Sequence, residues 1–375
     1  MRLLHTGDLH IGKIVNDFSM LEDQIASMNQ IVSIVEDEKV DAVILAGDIY
    51  DRAIPPAEAV RAFDQFLTSL AKLSVSVLMI SGNHDSPERI SFGKELVQNQ
   101  GVYIAGNYEQ DLTKVTLQDP YGEVTFVLLP FVKPAVAGAK TSDEAVKRLL
   151  EPVREQLKGQ RSVLVTHFFV TNAGKEPELS DSEQTIHVGG LDNVDATAFA
   201  DFDYVALGHI HKKQQIGNEN IYYAGAPVKF SFGEVHQTKG VLLVELGKKG
   251  EIQVEERLLK PLHDMRKIKG TLLQLTEVAN LQDVNREDYI QAILTDQGEL
   301  IDPITTLRSV YPNIMQIVLE RELREEKTQY QSKMLSVTKS MTELFREFYQ
   351  VVREEELDEA REAVLQEAAK KVEGK

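Results

Sequence analysis

The feature that most limits what this chain can fold into is a repeated one. A short apolar, β-branched run ends in glycine, and aspartate, asparagine or histidine follows at once. The pattern occurs at Gly7-Asp8-Leu9-His10, Gly47-Asp48, Gly82-Asn83-His84-Asp85 and Gly208-His209-Ile210-His211, and a related run ends on Thr166-His167. The runs themselves read as strands, and amphipathic stretches lie between the early ones. Residues 2–6 form the first strand, and Leu21, Ile25, Met28, Val32 and Val35, spaced by four and three, mark one face of a helix. Residues 41–46 are the next strand, and Phe63, Phe66, Leu67, Leu70 and Leu73 mark a second helix. Further strand-like runs fall at residues 75–80, 113–117, 124–129, 162–166, 204–207, 221–223 and 241–246. Many strands and few helices predict an α/β sandwich of two packed sheets.

With 375 residues the chain has room for two or three compact units. The pattern changes after Leu259-Lys260-Pro261. Residues 267–275, 289–294 and 314–319 read as strands and 303–310 as a helix, which gives a small α+β cap over residues 261–325 behind a main domain of residues 1–260. From about residue 326 strand signals stop. Met341, Leu344, Phe345, Phe348 and Val352 form one helical stripe and Leu357, Val364, Leu365 and Ala368 another, so residues 326–375 read as a helical tail. The tail either folds back on its own domain or docks another protein.

Composition narrows the chemistry. With no cysteine, disulfides, thiolate metal sites and cysteine nucleophiles are excluded, and any metal must sit on His, Asp, Glu or Asn. The longest apolar runs, at residues 40–46 and 75–80, are too short to span a bilayer. The opening residues carry no signal-peptide core, so the expected compartment is the cytoplasm and no membrane is involved. A formal charge of −18 opposes polyanion binding at long range, although screening confines that effect to about 8–10 Å.

Loops beyond the carboxyl ends of strands in α/β sheets are where ligands bind. Residues two apart in an extended segment project to the same side, which brings Asp8 with His10, and His209 with His211, within reach of an ion. Adjacent residues diverge, so Asn83 can turn its amide oxygen to a metal while His84 faces a substrate. Glycines at 7, 47, 82 and 208 leave room for tight turns and close backbone approach. Each segment alone is compatible with an ordinary turn or helix cap. Together they read as a metal centre of imidazoles, carboxylates and one amide oxygen, a set that admits manganese, iron, zinc or cobalt.

In order, the five segments resemble the motifs of the calcineurin-like metallophosphoesterases: D-x-H, GD, GNH[DE], H and GHxH. Within that superfamily the opening residues 5–12, Gly47-Asp48-Ile49-Tyr50-Asp51 followed by Pro55-Pro56, residues 81–86, Tyr223-Ala224-Gly225-Ala226-Pro227 and Phe230-Ser231-Phe232 are similar to the bacterial SbcD family. The resemblance implies a two-sheet βαβ sandwich of the metallophosphoesterase type and two divalent ions, manganese by family habit. One ion would be held by Asp8, His10, Asp48 and His211, and the other by Asp48, Asn83, His167 and His209. Paired ions clamp the attacking and leaving oxygens of an in-line displacement and activate water, so no protein nucleophile is required. His84 is then the catalytic group that stabilises the transition state or protonates the leaving oxygen. Asp51, where archaeal relatives carry histidine, either orients His84 or caps the helix after Pro55-Pro56. Asp85 is either support for the site or a turn residue.

The resemblance further implies a DNA exonuclease and endonuclease acting on duplex ends and hairpins. It also implies an SbcC-type ATPase partner with a coiled coil, a homodimer inside a two-plus-two heterotetramer, and a nucleoid-associated setting. The helices around residues 21–35 or 59–73 are candidate dimer faces. Arg52, Arg89, Lys94, Lys133, Lys175, Lys212, Lys213 and Lys229 are scattered basic residues, and any in the cleft would contact phosphates. His5, His187, His236 and His263 have no partner at ligand spacing, His187 being the best placed of them to touch substrate. A small phosphodiester such as a cyclic nucleotide is the alternative substrate. A scaffold with a purely structural metal is the alternative from another class.

Overall fold

The computed structural model describes residues 1–180, 192–217, 220–278 and 285–321, together with isolated residues between 342 and 366. Two six-stranded sheets pack face to face. The first runs Ile252–Leu258, Gly240–Leu246, Arg2–Thr6, Ala42–Ala46, Ser76–Ile80, Val102–Ala105. The second runs Gln214–Gln215, Ile221–Tyr223, Tyr204–Gly208, Ser162–His167, Gly122–Leu129, Thr113–Asp119. The central strands of each sheet are parallel; antiparallel strands close both edges of the second sheet and one edge of the first, whose other edge strand, Val102–Ala105, is parallel to its neighbour.

Strand Ala42–Ala46 shows why the layers form. Its alternate residues Ala42, Ile44 and Ala46 enter the core between the sheets, beside Leu78, Phe126, Val165 and Ala206. Val43 and Leu45 face the other way, onto Met28, Ile31 and Val35 of helix Leu21–Asp37 and Phe63, Phe66 and Leu70 of helix Ala57–Lys72. A strand covered on both faces has no polar side to show, and this one is buried throughout. The second sheet is covered by helix Ser142–Leu157, through Val146, Leu149, Leu150 and Val153. That helix is absent from the sequence reading, because Pro152 and many charges interrupt its apolar stripe. The edge strands Val102–Ala105 and Ile252–Leu258 are also additions.

Residues Met265–Gly270, Tyr289–Leu294 and Ile314–Leu319 make a third, all-parallel sheet. Parallel neighbours need crossover connections, and helices Leu272–Val278 and Pro303–Arg308 supply them. The expected strand over residues 267–275 therefore divides: it ends at Gly270 and becomes helix two residues later. This unit seats Met265, Tyr289 and Met315 against Met20, Phe230 and Phe232 of the main domain. A polar latch accompanies them. The buried Asp23 carboxylate accepts the Tyr289 hydroxyl at 2.7 Å and the backbone N–H of His263 at 2.9 Å.

In the tail, Met341, Leu344, Phe348, Val352 and Ala368 lie outside the described residues. Phe345 and Val364 are exposed, Leu357 and Leu365 are half-buried, and Arg346 pairs with Glu362. Among the described residues no helix is long and apolar enough to cross a membrane.

One ion pair at the far end of the sheets invites a stability measurement. Asp119, with its side chain 4% exposed, takes two bonds of 2.7 Å from Arg161 and lies 2.9 Å from the amino group of Met1. The Arg161 bond holds the Asp119 carboxyl well below its ordinary range, against the upward push of burial. Removing one partner of a buried pair leaves the other uncompensated, so Asp119→Asn is expected to cost about 3 kcal/mol at pH 7. Because the folded carboxyl titrates below the unfolded one, this stabilisation is full above the unfolded value near 4 and fades as pH falls beneath it. Urea midpoints of parent and variant should differ most at pH 7 and converge below about pH 4. A pH-independent gap would refute the assignment.

Candidate metal centre

Five parallel strands of the two sheets end at one place. The chain leaves strand Arg2–Thr6 into Asp8, Ala42–Ala46 into Asp48, Ser76–Ile80 into Asn83, and Tyr204–Gly208 into His209, while His167 is the last residue of its strand. Glycines allow the loops to close on one another. A Cβ at Gly82 would stand 2.1 Å from Asp48 Oδ1, one at Gly208 would stand 1.9 Å from the Ala46 carbonyl oxygen, and one at Gly47, at φ +86°, would stand 2.5 Å from His167 Nδ1. Asp8, His10, Asp48 and His209 themselves adopt positive φ, at 52°, 43°, 49° and 105°. Such conformations cost non-glycine residues about 1–3 kcal/mol each and cluster at functional sites.

The seven sequence-derived ligand candidates meet as two groups. In one, His10 Nε2 lies 3.1 Å from His211 Nε2 and 3.6 Å from Asp48 Oδ2. In the other, Asn83 Oδ1 lies 3.1 Å from His167 Nε2 and 3.0 Å from His209 Nδ1, and His167 Nε2 lies 3.3 Å from Asp48 Oδ2. Asp48 Oδ2 is common to both groups. Asp8 receives the His209 backbone N–H at 2.8 Å and groups with His10 and His211. Donor atoms of Asp8, His10 and His211, and separately of Asp8, Asp48 and His167, lie within 4.8 Å of one another. Two donors each about 2.0–2.2 Å from one ion stand at most about 4.0–4.4 Å apart, so small side-chain adjustments bring these groups to ligating distance. All but Asn83 are buried.

Electrostatics agree with the geometry. Burial lowers His10 to about 3 and drives His211 well below the usual histidine value, so both rings are neutral donors. Burial also opposes ionisation of Asp48, yet the neighbouring His167, with His10 and His84, holds its carboxyl well below the ordinary range. His167 is pulled down by burial and then raised, chiefly by the Asp48 charge, to about 9. A proton on His167 is thus the counter-charge of Asp48 in the protein alone. Its other nitrogen, Nδ1, donates to the Ala46 carbonyl at 2.8 Å and so aims Nε2 at the centre. Residues of this kind and placement fit hard or borderline divalent ions.

His84 stands at the rim with its side chain 32% exposed, and its Nε2 is 4.0 Å from Asp48 Oδ2. Its Nδ1 donates to the backbone carbonyl of Asp51 at 2.9 Å. The link between Asp51 and His84 therefore runs through the main chain. The Asp51 carboxylate turns instead to Lys13 Nζ at 2.6 Å and lies 3.8 Å from His10 Nδ1, and it caps no helix, since Pro56 occupies that cap position. Asp85 is more than a turn residue. It accepts backbone N–H groups of Gly82, Ile49 and Tyr50 at 2.9–3.1 Å, clasping two of the ligand loops. Burial, with the Asp48 charge, pushes its carboxyl up to about 6.

Several supports escape sequence reasoning. Gln24, buried in the stripe of helix Leu21–Asp37, donates to the carbonyls of Leu9 and His10 and accepts from Gly12, and so fixes the first ligand loop. A polar residue beside Leu21, Ile25 and Met28 is the signal that could have revealed it. Phe230 sets its ring edge-on to both His10 and His211, with centroids 5.6 Å away. Lys13 lies 5.5 Å over that ring. His5 is buried against the Tyr204 hydroxyl, His263 binds Asp23, His236 is exposed, and His187 lies outside the described residues. Five of the scattered basic residues face carboxylates: Arg52 meets Asp51, Lys94 meets Glu109, Lys212 meets Glu178, Lys213 meets Glu256 and Lys229 meets Asp264.

Residues 1–213 match the calcineurin-like phosphoesterase family, and residues 261–353 match a family described as the type 5 capsule protein repressor C-terminal domain. The chain is 31% identical over 326 residues to the SbcD component of nuclease SbcCD from Staphylococcus epidermidis, covering 84% of each protein. It is 30% identical over 324 residues to the same component from Staphylococcus saprophyticus, again covering 84% of each. Among solved structures, a dimetal phosphatase from Danio rerio aligns with a TM-score of 0.41 at 13% identity, over 69% of this chain and 96% of that one.

Proposed function

The chain belongs to the calcineurin-like phosphoesterases, in the family of SbcD nuclease subunits, and from that premise we propose that it hydrolyses phosphodiester bonds at duplex DNA ends and hairpins with two divalent ions, manganese in the cell. The observation that carries the reading is the sharing of Asp48 Oδ2 between the two donor groups, with His84 Nε2 beside it. Asp8, His10, Asp48 and His211 would hold one ion, and Asp48, Asn83, His167 and His209 the other. When bound, the pair supplies charge stabilisation for the attacking and leaving oxygens and an activated water.

The remaining work falls to the chain. His84, with Nδ1 committed to the Asp51 carbonyl, offers Nε2 to the scissile phosphate, where it can hold or deliver a proton to the leaving sugar oxygen. Asp51 acts on that ring only through its backbone, while its carboxylate anchors Lys13. Asp85 keeps the Asp48 and Asn83 loops in register. We assign residues 261–325 to positioning DNA over the centre and residues 326–375 to docking an SbcC-type coiled-coil ATPase. The assembly is a two-plus-two complex in the cytoplasm, associated with the nucleoid.

The test is cleavage of an end-labelled hairpin duplex by the purified chain. Cutting is expected with manganese, to disappear with EDTA and to return when manganese is restored. Hydrolysis of bis(p-nitrophenyl) phosphate without any DNA cleavage, even with the ATPase present, would transfer the assignment to a small phosphodiester.

A further inference from the structure

We propose that Glu234 is a positioning residue for His211, holding the imidazole from its Nδ1 side so that Nε2 is presented to the metal; the role rests on the metal-centre reading above. Glu234 is completely buried, at the end of a short turn, Phe232–Glu234. Its Oε1 lies 4.0 Å from His211 Nδ1, too far for a hydrogen bond and near enough for direct attraction. The same oxygen accepts the Ser231 hydroxyl at 3.1 Å and the Phe230 N–H at 3.3 Å, which fix where the carboxylate stands. Its Oε2 lies 2.6 Å from Lys239 Nζ, and Lys239 in turn donates to the His211 carbonyl at 2.9 Å. The Ala226 N–H donates to that carbonyl as well, at 3.1 Å. One segment, residues 226–239, thus grips His211 at both its backbone and its ring, and packs Phe230 against the ring edge.

The two nitrogens of His211 have different surroundings. Nε2 meets His10 Nε2, inside the donor group, and Nδ1 faces the carboxylate. A lone pair offered to an ion at Nε2 requires the proton on Nδ1, and a carboxylate on that side favours this tautomer and makes the ring a better donor. A counter-ion for Lys239 alone would not have to stand 4.0 Å from a ligand's far nitrogen. Loss of such an outer carboxylate typically weakens metal binding by about 10–100-fold.

The full-length chain should be titrated with Mn2+ by calorimetry as the parent, as Glu234→Gln and as Glu234→Gln combined with Lys239→Met. The double change removes both buried charges, so neither is left uncompensated. Thermal midpoints are recorded alongside. Both variants are expected to bind one Mn2+ about 10–100-fold more weakly than the parent, with the second binding event less affected and DNA cleavage recovered at saturating Mn2+. A folded variant with parental affinity at both sites overturns the role of Glu234 and leaves the metal centre standing. A parent chain that binds no Mn2+ overturns the metal-centre reading, and this proposal with it.

Discussion

Changing His84 to glutamine is expected to lower kcat for DNA cleavage by about 10² to 10⁴ while leaving Mn2+ affinity close to the parent's. The expectation follows from where the ring sits. His84 is at the rim, not among the seven donors that interlock below it, and its Nδ1 is occupied by the Asp51 carbonyl. Glutamine can reach the same carbonyl with its amide, so the loop loses little. It cannot release a proton to the leaving oxygen at neutral pH, and that is the lost contribution. Single-turnover cleavage at saturating Mn2+, alongside calorimetric titration, separates chemistry from binding. Unchanged turnover would remove His84 from the reaction, and a large loss of Mn2+ affinity would make it a ligand.

A second large effect is expected from a residue with no functional group. In Gly82→Ala the added methyl would stand 2.1 Å from Asp48 Oδ1 and 2.5 Å from the Asp48 backbone nitrogen, so the shared carboxylate has to move by about an ångström. A misplacement of that size can cost about 100-fold in rate, and here it strikes the carboxylate whose other oxygen, Oδ2, is common to both donor groups. The variant is therefore expected to lose at least about 100-fold in kcat/KM and to hold fewer than two ions per chain, measured as bound manganese after desalting. Gly298→Ala, whose methyl meets nothing within 4 Å, is the control and should behave like the parent. Full occupancy and parental activity in Gly82→Ala would mean that Asp48 is free to shift without consequence.

How much of this was legible beforehand differs by scale. The strand ends and their polar residues were readable because strand, glycine and ligand are neighbours in sequence, and the structure gathers those same residues. The order of strands in each sheet was not: Arg2–Thr6 pairs with Gly240–Leu246, and nothing local in either run selects the other. Helix Ser142–Leu157 hid behind its charges and Pro152, although Val146, Leu149, Leu150 and Val153 pack on the second sheet. Asp51 and Glu234 show the limit for sites. The bond from His84 goes to a carbonyl that every residue type possesses, so the residue type at position 51 could not reveal it. Glu234 reaches His211 across 23 positions, and an isolated glutamate after a phenylalanine-rich stretch looks like surface until the fold buries it. Positive φ at Asp8, His10 and Asp48 was equally invisible, since these residue types adopt either sign of φ and their sequence neighbours do not select one.

The pairing of the first strand with residues 240–246 has a consequence during synthesis. On the ribosome, Arg2–Thr6 emerges among the earliest residues but acquires its antiparallel neighbour only after some 240 more have been added. At about 5–20 residues per second that is a wait on the order of 10–50 s. For most of that time the first ligand loop exists without His167, and for longer still without His209 and His211, the last donors to be translated. A half-made nuclease therefore has no assembled centre with which to cut nearby nucleic acid, and the order of its strands sets when that capacity first appears.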